Sequence, residues 1–295
     1  MSQFSENESI SDALLKHSIY LKYLIPEIGA AQISIVDQNN TQLRGEILEF
    51  YDKNKDYRFT KKQQKLTEAF RKRVAKLRGG SIREAYNQFI IDMIALAMLE
   101  QGYTKDAVKF YSDIALEADT EPAIERMVLF MPILGSTIEQ IYKDLAIKDT
   151  DRIVDTVVNG IQANDTRTKI EGDVFNKGGV LEVTRNFINN RNRDSGSTRT
   201  IMTGVLGESN TSLFKKNLDQ IKRVIYIAIL DSATSEICRS RSRNVYPIEL
   251  APQLPAHRNC RTHYEPYIEG ENEDIENYGQ WFGDQDKTFQ RFVLG

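Results

Sequence analysis

VIYIAILDSATSEICRSRSRNVYPIELAPQLPAHRNCRTHYEPY, residues 224–267, is the stretch on which the reading of this chain turns. Its first seven residues are a continuous β-favouring run of the length of a buried strand. Short strands and loops rich in Pro, Asn and Gly are expected beyond it. Arg239, Arg241 and Arg243 alternate, so on a strand they would share one face. Both cysteines and two of the three histidines fall between Cys238 and His263.

Upstream the texture is helical. Ile10, Leu14, His17, Leu21 and Leu24 recur at helical spacing, behind candidate caps Ser9 and Ser11, until Pro26 is expected to stop the pattern. Shorter helical patterns follow over residues 42–51 and 60–77, the latter ended on paper by Gly79 and Gly80. Residues 81–100 open with Ser-Ile-Arg-Glu, the spacing of a capping box, and become apolar nearly all round. Residues 105–118 and 124–145 continue in that style. From about residue 150 the chain turns polar, and residues 189–200 (NNRNRDSGSTRT) look like an exposed loop. A short amphipathic helix over 212–222 then leads into the strand. The expectation is an α+β protein: a mostly helical N-terminal region (1–160), a linker or extended segment (161–211) and a small α+β C-terminal module (212–295).

Composition narrows the classes. Of 295 residues, 40% are hydrophobic and 27% charged, ordinary for a globular chain with a sizeable core. Lys plus Arg number 39 against 42 acids, a formal charge of −3, which argues against a chain whose main task is coating nucleic acid. Two cysteines rule out a disulfide framework and fit a reducing compartment. The opening MSQFSENESISDALL lacks a basic region followed by an apolar stretch, and the apolar run 89–99 is too short to span a bilayer, so neither secretion nor a membrane is expected.

The late cluster carries the chemistry. Cys238, His257, Cys260 and His263 offer the thiolates and imidazoles that zinc prefers, with a tight His-x2-Cys-x2-His spacing. Against this, Ser235 breaks the Cys-x2-Cys pair of a zinc ribbon. The other reading needs no cofactor: Cys238 packs as a small hydrophobe, His257 caps a turn, and Arg261 bonds backbone carbonyls or Asp231. A nucleophilic Cys260 beside Arg258 and Arg261 is the enzymatic version, without an orienting acid or oxyanion hole in the sequence to complete it. No phosphate-binding Gly loop is present.

A second feature is basic. Residues 60–78 hold Lys61, Lys62, Lys65, Arg71, Lys72, Arg73, Lys76 and Arg78 against Glu68 alone, a run suited to phosphates or an acidic protein face. Arg191, Arg193 and Arg199 form another cluster in the expected loop.

The stretch 224–267 resembles the signature of the Mu F-like phage head-morphogenesis family. That pattern runs from a strand into an Asp-x-x-Thr turn with a Cys pair, then a spacer, then Pro-Pro-x-His-Pro-Asn-Cys-Arg-Cys. The matching residues are Asp231, Thr234 and Cys238, then Pro255, His257, Asn259, Cys260 and Arg261. The segment 277–295 is similar to the family's closing segment through Tyr278, Trp281, Gln285, Phe289, Gln290, Leu294 and Gly295. Ser235, Arg258 and Thr262 depart from the pattern, standing where the family has Cys, Pro and Cys. The match covers about the last quarter of the chain.

The resemblance implies a minor head protein, made in the host cytoplasm and bound to the portal protein inside the capsid near the portal vertex. There it would act by binding in procapsid assembly and in packaging or ejection of double-stranded DNA, without catalysis. Asp231, Thr234, Cys238, His257, Asn259, Cys260 and Arg261 would then hold the module's loop together, and the basic residues would contact DNA or portal. The alternatives are a virion protein ejected with the genome, a tail or adaptor protein, and a Cys-dependent hydrolase or toxin.

Overall fold

A computed structural model describes residues 4–5, 8–56, 61–189, 197–229, 234–270 and 278–294. The elements run α1 (Ile10–Asp37), α2 (Asn40–Asn54), α3 (Lys61–Ser112), α4 (Glu121–Phe130), α5 (Ile138–Gln162), α6 (Arg167–Phe175), α7 (Val180–Asn189) and α8 (Ser197–Lys216). Then come β1 (Arg223–Ala228), α9 (Glu236–Arg241), β2 (Val245–Pro247), a 3-10 turn (Ile248–Leu250), β3 (Thr262–Pro266), α10 (Tyr278–Asp284) and α11 (Lys287–Leu294). The architecture is the α+β one expected: a helical majority with a small antiparallel sheet near the C-terminus.

The chain forms two compact units, each discontinuous in sequence. A helical unit comprises Pro26–Ile91 and Ser136–Thr198, and a mixed unit comprises Met1–Ile25, Asp92–Gly135 and Arg199–Gly295. The three-part division into 1–160, 161–211 and 212–295 therefore does not follow the packing. Residues 161–211 hold α6, α7 and most of α8 instead of a linker. Their polar and Gly residues punctuate helices: Thr166 caps α6 through its side chain, and Asn164 and Gly178 take left-handed turns at φ 58° and 85°.

Three helix-stop signals are overridden. α1 passes through Pro26, which stands where the chain leaves the mixed unit for the helical one. α3 passes through Gly79 and Gly80, neither of which has a positive φ. Two helical glycines cost about 1 kcal/mol each, and burial of Phe70, Val74, Ile82 and Phe89 along the same helix outweighs that. Ser81 is no cap: its hydroxyl bonds back to the Leu77 carbonyl at 3.2 Å. The expected helix over 124–145 is broken before Pro132 and restarted at Thr137, whose side chain caps α5. By length and composition α1 is apolar enough to cross a bilayer, but it carries Lys16, His17 and Lys22, and Ile10, Leu14, Leu21 and Ile25 are buried.

Within the helical unit, α2, α3, α5, α6 and α7 surround a core of Leu43, Ile47, Phe50, Phe70, Val74, Ile153, Val157, Ile170 and Leu181. Within the mixed unit the sheet order is β2-β1-β3, all antiparallel, with Tyr226 opposite Tyr264, Ile227 opposite His263 and Ala228 opposite Thr262. The two-residue period splits β1 between two cores. Val224, Tyr226 and Ala228 face α8, Cys238 and Cys260; Ile225 and Ile227 face Leu15, Ile19 and Trp281.

Candidate functional site

The candidate site is built on the first of those sheet faces. Ser235 caps α9 by accepting from the Cys238 amide at 3.3 Å, which fixes Cys238, 2% exposed, in the first helical turn. From the other side comes the loop before β3. Its Leu254–Pro255 bond is cis, and Asn259 takes a left-handed φ of 58°. Two threonines of α8 hold this loop: Thr200 Oγ1 accepts from the Asn259 amide at 2.9 Å, and Thr203 Oγ1 donates to the Cys260 carbonyl at 2.7 Å.

Cys238 Sγ then lies 3.7 Å from Cys260 Sγ and 3.1 Å from His257 Nε2. Ser235 Oγ is 2.7 Å from the same ring nitrogen. Thr262 Oγ1, at the start of β3, accepts from Cys260 Sγ at 3.3 Å and donates to Cys238 Sγ at 3.4 Å, and the Tyr226 hydroxyl is 3.3 Å from Cys238 Sγ. Both thiols are free. Ser235 and Thr262 thus sit in the same cluster as Cys238, His257 and Cys260.

The environment splits the two thiols. Hydrogen bonding with Cys260 first, and with Thr262, Tyr226 and Ser235, outweighs burial and pulls the Cys238 thiol down to about 4. The same shared hydrogen bond and full burial push the Cys260 thiol up. The sequence offered a nucleophilic Cys260 only as the enzymatic alternative, and the shared hydrogen bond together with burial disfavours its ionisation.

His263 does not join them. On β3 it points to the opposite sheet face from Thr262, where its ring meets Ser18 Oγ at 3.2 Å and Glu265 at 3.1 Å. Its proposed role as a fourth ligand is corrected by strand periodicity. Thr234 lies just before α9, with Oγ1 donating to the Ile229 carbonyl at 2.7 Å. Arg261 offers its carbonyl to Lys22 Nζ at 3.0 Å. Asp231 lies outside the described residues. Arg239 and Arg241 are on α9, not on a strand, and Arg243 sits in a left-handed turn at φ 69°, so the three share no face.

The basic helix is thinner than the sequence suggests. Arg78 is corrected outright: it is fully buried and paired with Asp149. Arg71 is paired with Asp151 and Asp155, and Arg73 with Glu46 at 2.5 Å. Lys65, Lys72 and Lys76 stay exposed along one face of α3. The side chains of Lys61 and Lys62, and the whole of Arg191 and Arg193, lie outside what is described.

Lys22, Tyr226, Ser235 and Thr262 are the site residues that sequence reasoning missed. Ser235 alone left a local signal, a Ser three residues ahead of a buried Cys at a helix start. Lys22 is half-buried, and burial lowers its ammonium to about 7, with Arg261 and Arg199 adding to the effect and Cys260 and Glu100 opposing it. The folded value lies below the ordinary 10.5, so the unfolded chain binds more protons between the two. Stability from this group therefore rises with pH from about 7 to about 10.5, and the cost is fully present below 7. Lys22→Met is expected to raise the melting temperature relative to wild type more below pH 7 than above pH 10. A difference that stays constant across calorimetric scans over this range would contradict the assignment.

The chain matches no family model, no curated protein and no solved structure.

Proposed function

We propose that this chain is a minor head protein of a tailed bacteriophage, of the Mu F-like head-morphogenesis type, which acts by binding and not by catalysis. One observation carries the reading. Motif positions 235, 238, 257, 260 and 262, up to 27 residues apart in sequence, meet on one face of a small sheet as hydrogen-bonded neighbours. A motif whose purpose is to hold a module together would place its residues in this way. In this reading the protein sits inside the capsid at the portal protein, near the portal vertex, and serves procapsid assembly and DNA packaging or ejection.

The exposed Lys65, Lys72 and Lys76 strip is its candidate contact to packaged double-stranded DNA. Three phosphate contacts give a slope of log affinity against log salt of about −2.7. Changing all three lysines to glutamate is expected to remove that slope in anisotropy titrations with duplex DNA. An unchanged slope would move the DNA contact elsewhere. The function itself is tested by mass spectrometry and cryo-EM of intact and emptied virions. The chain is expected at the portal vertex of full heads; absence from virions at every stage would refute the reading, and loss on emptying would favour ejection with the genome.

A further inference from the structure

We infer that Cys238, Cys260 and His257 form a zinc site, with the two sulfurs and the histidine Nε2 as ligands. The three donor atoms lie within 4.8 Å of one another. Two sulfurs each about 2.3 Å from a tetrahedral zinc stand roughly 3.7 Å apart, and Cys238 and Cys260 Sγ are 3.7 Å apart. The matching sulfur–nitrogen edge is roughly 3.5 Å, against 3.1 Å between Cys238 Sγ and His257 Nε2, and the edge from Cys260 Sγ to the same nitrogen is within 4.8 Å.

The surroundings fit a metal as well as the distances do. His257 Nδ1 lies 2.7 Å from the Arg258 carbonyl, a bond that puts the ring proton on Nδ1 and leaves the Nε2 lone pair aimed at the sulfurs. Zinc-bound histidines are oriented by such a second bond. The Tyr226 and Thr262 hydroxyls lie within 3.4 Å of Cys238 Sγ, placed to donate to a bound thiolate. The fourth position opens on a small cleft lined by Thr234, Ser235, Asn259 and Thr262. A hydroxyl or a solvent oxygen there completes the tetrahedron.

The consequence is structural. Zinc would tie the first turn of α9 to the loop before β3 across 22 residues, the join otherwise made by weak S–H and O–H bonds. Binding free energy of this kind adds directly to folding free energy. The inference rests on these contacts alone and stands or falls apart from any role in phage heads.

The test is metal uptake by the full chain, reduced and stripped with a chelator without oxygen, then titrated with zinc chloride and separately with cobalt(II) chloride. One zinc per chain is expected, and cobalt should show thiolate charge transfer in the near ultraviolet with tetrahedral bands in the visible. Cys238→Ser and Cys260→Ser should each weaken zinc binding by roughly a hundredfold or more and take away about half the charge-transfer intensity, one of two thiolates being lost. His257→Ala, at a half-buried position that spares the core, should weaken binding while keeping that intensity. Circular dichroism confirms the fold of each variant. A folded, reduced wild type that takes up neither metal overturns the inference. So does equal uptake by wild type and His257→Ala, or a Cys238–Cys260 disulfide in protein purified without reductant.

Discussion

Arg78→Ala is expected to destabilise the helical unit by about 3–5 kcal/mol, the usual cost of leaving one member of a buried ion pair alone. Arg78 on α3 is fully buried, as is Asp149 on α5. Its Nε donates to Asp149 Oδ2 at 2.5 Å, and its Nη1 donates to the Val36 carbonyl at 2.7 Å and to Asn40 Oδ1 at 3.2 Å. The other Asp149 oxygen accepts from the Thr184 hydroxyl. Without the guanidinium, a carboxylate stays buried with one hydroxyl for company, and its desolvation is no longer offset. Asp149→Ala should cost a similar amount for the mirror reason.

The double variant Arg78→Met with Asp149→Leu is expected to recover most of that loss. Arg78 Nη2 finds no partner among the described residues, so the wild-type pair carries a desolvation cost of its own. Urea unfolding followed by far-ultraviolet circular dichroism reads the cycle, since the sole tryptophan, Trp281, belongs to the mixed unit. Single variants costing under about 1 kcal/mol, or a double variant no more stable than either single one, would show that the pair is not coupled as its geometry states.

Tyr226→Ala is expected to destabilise the mixed unit by about 3–5 kcal/mol, the range for emptying a large aromatic from a packed core. Tyr226 is the centre of the central strand and fully buried. Its ring lies edge-on to Tyr264 at 5.7 Å and to Tyr246 at 6.5 Å, and its hydroxyl reaches Cys238. Tyr226→Phe keeps the ring and removes only the hydroxyl, so it should cost about 1 kcal/mol. Burial and the bond to Cys238 push the phenol's pKa up, which keeps it a neutral donor at physiological pH. Trp281 packs beside Ile225 and Ile227 on the opposite sheet face, so its fluorescence reports unfolding of this unit. Equal losses for the two variants would mean that the hydroxyl, and not the ring, holds this face.

The main helices and the buried strand could be read from the sequence, because they follow from local periodicity, whereas the helices of 161–211 and α9 could not. Ile225 and Ile227 alternating with Val224, Tyr226 and Ala228 read as a strand buried on both faces, and they are one. The order of the late motif also determined which residues to watch: Cys238, His257 and Cys260 do meet. What the tertiary structure decided depends on partners distant in sequence. Pro26, Gly79 and Gly80 read as stops because local propensity favours stopping there, yet core packing along α1 and α3 outweighs it. The basic run 60–78 looked like one surface because the acids that neutralise it, Glu46, Asp149, Asp151 and Asp155, come from other helices. His263 shares the spacing of a ligand with Cys260, but three residues along a chain entering a strand reverse the face, and only the pairing of β3 with β1 shows where that reversal falls.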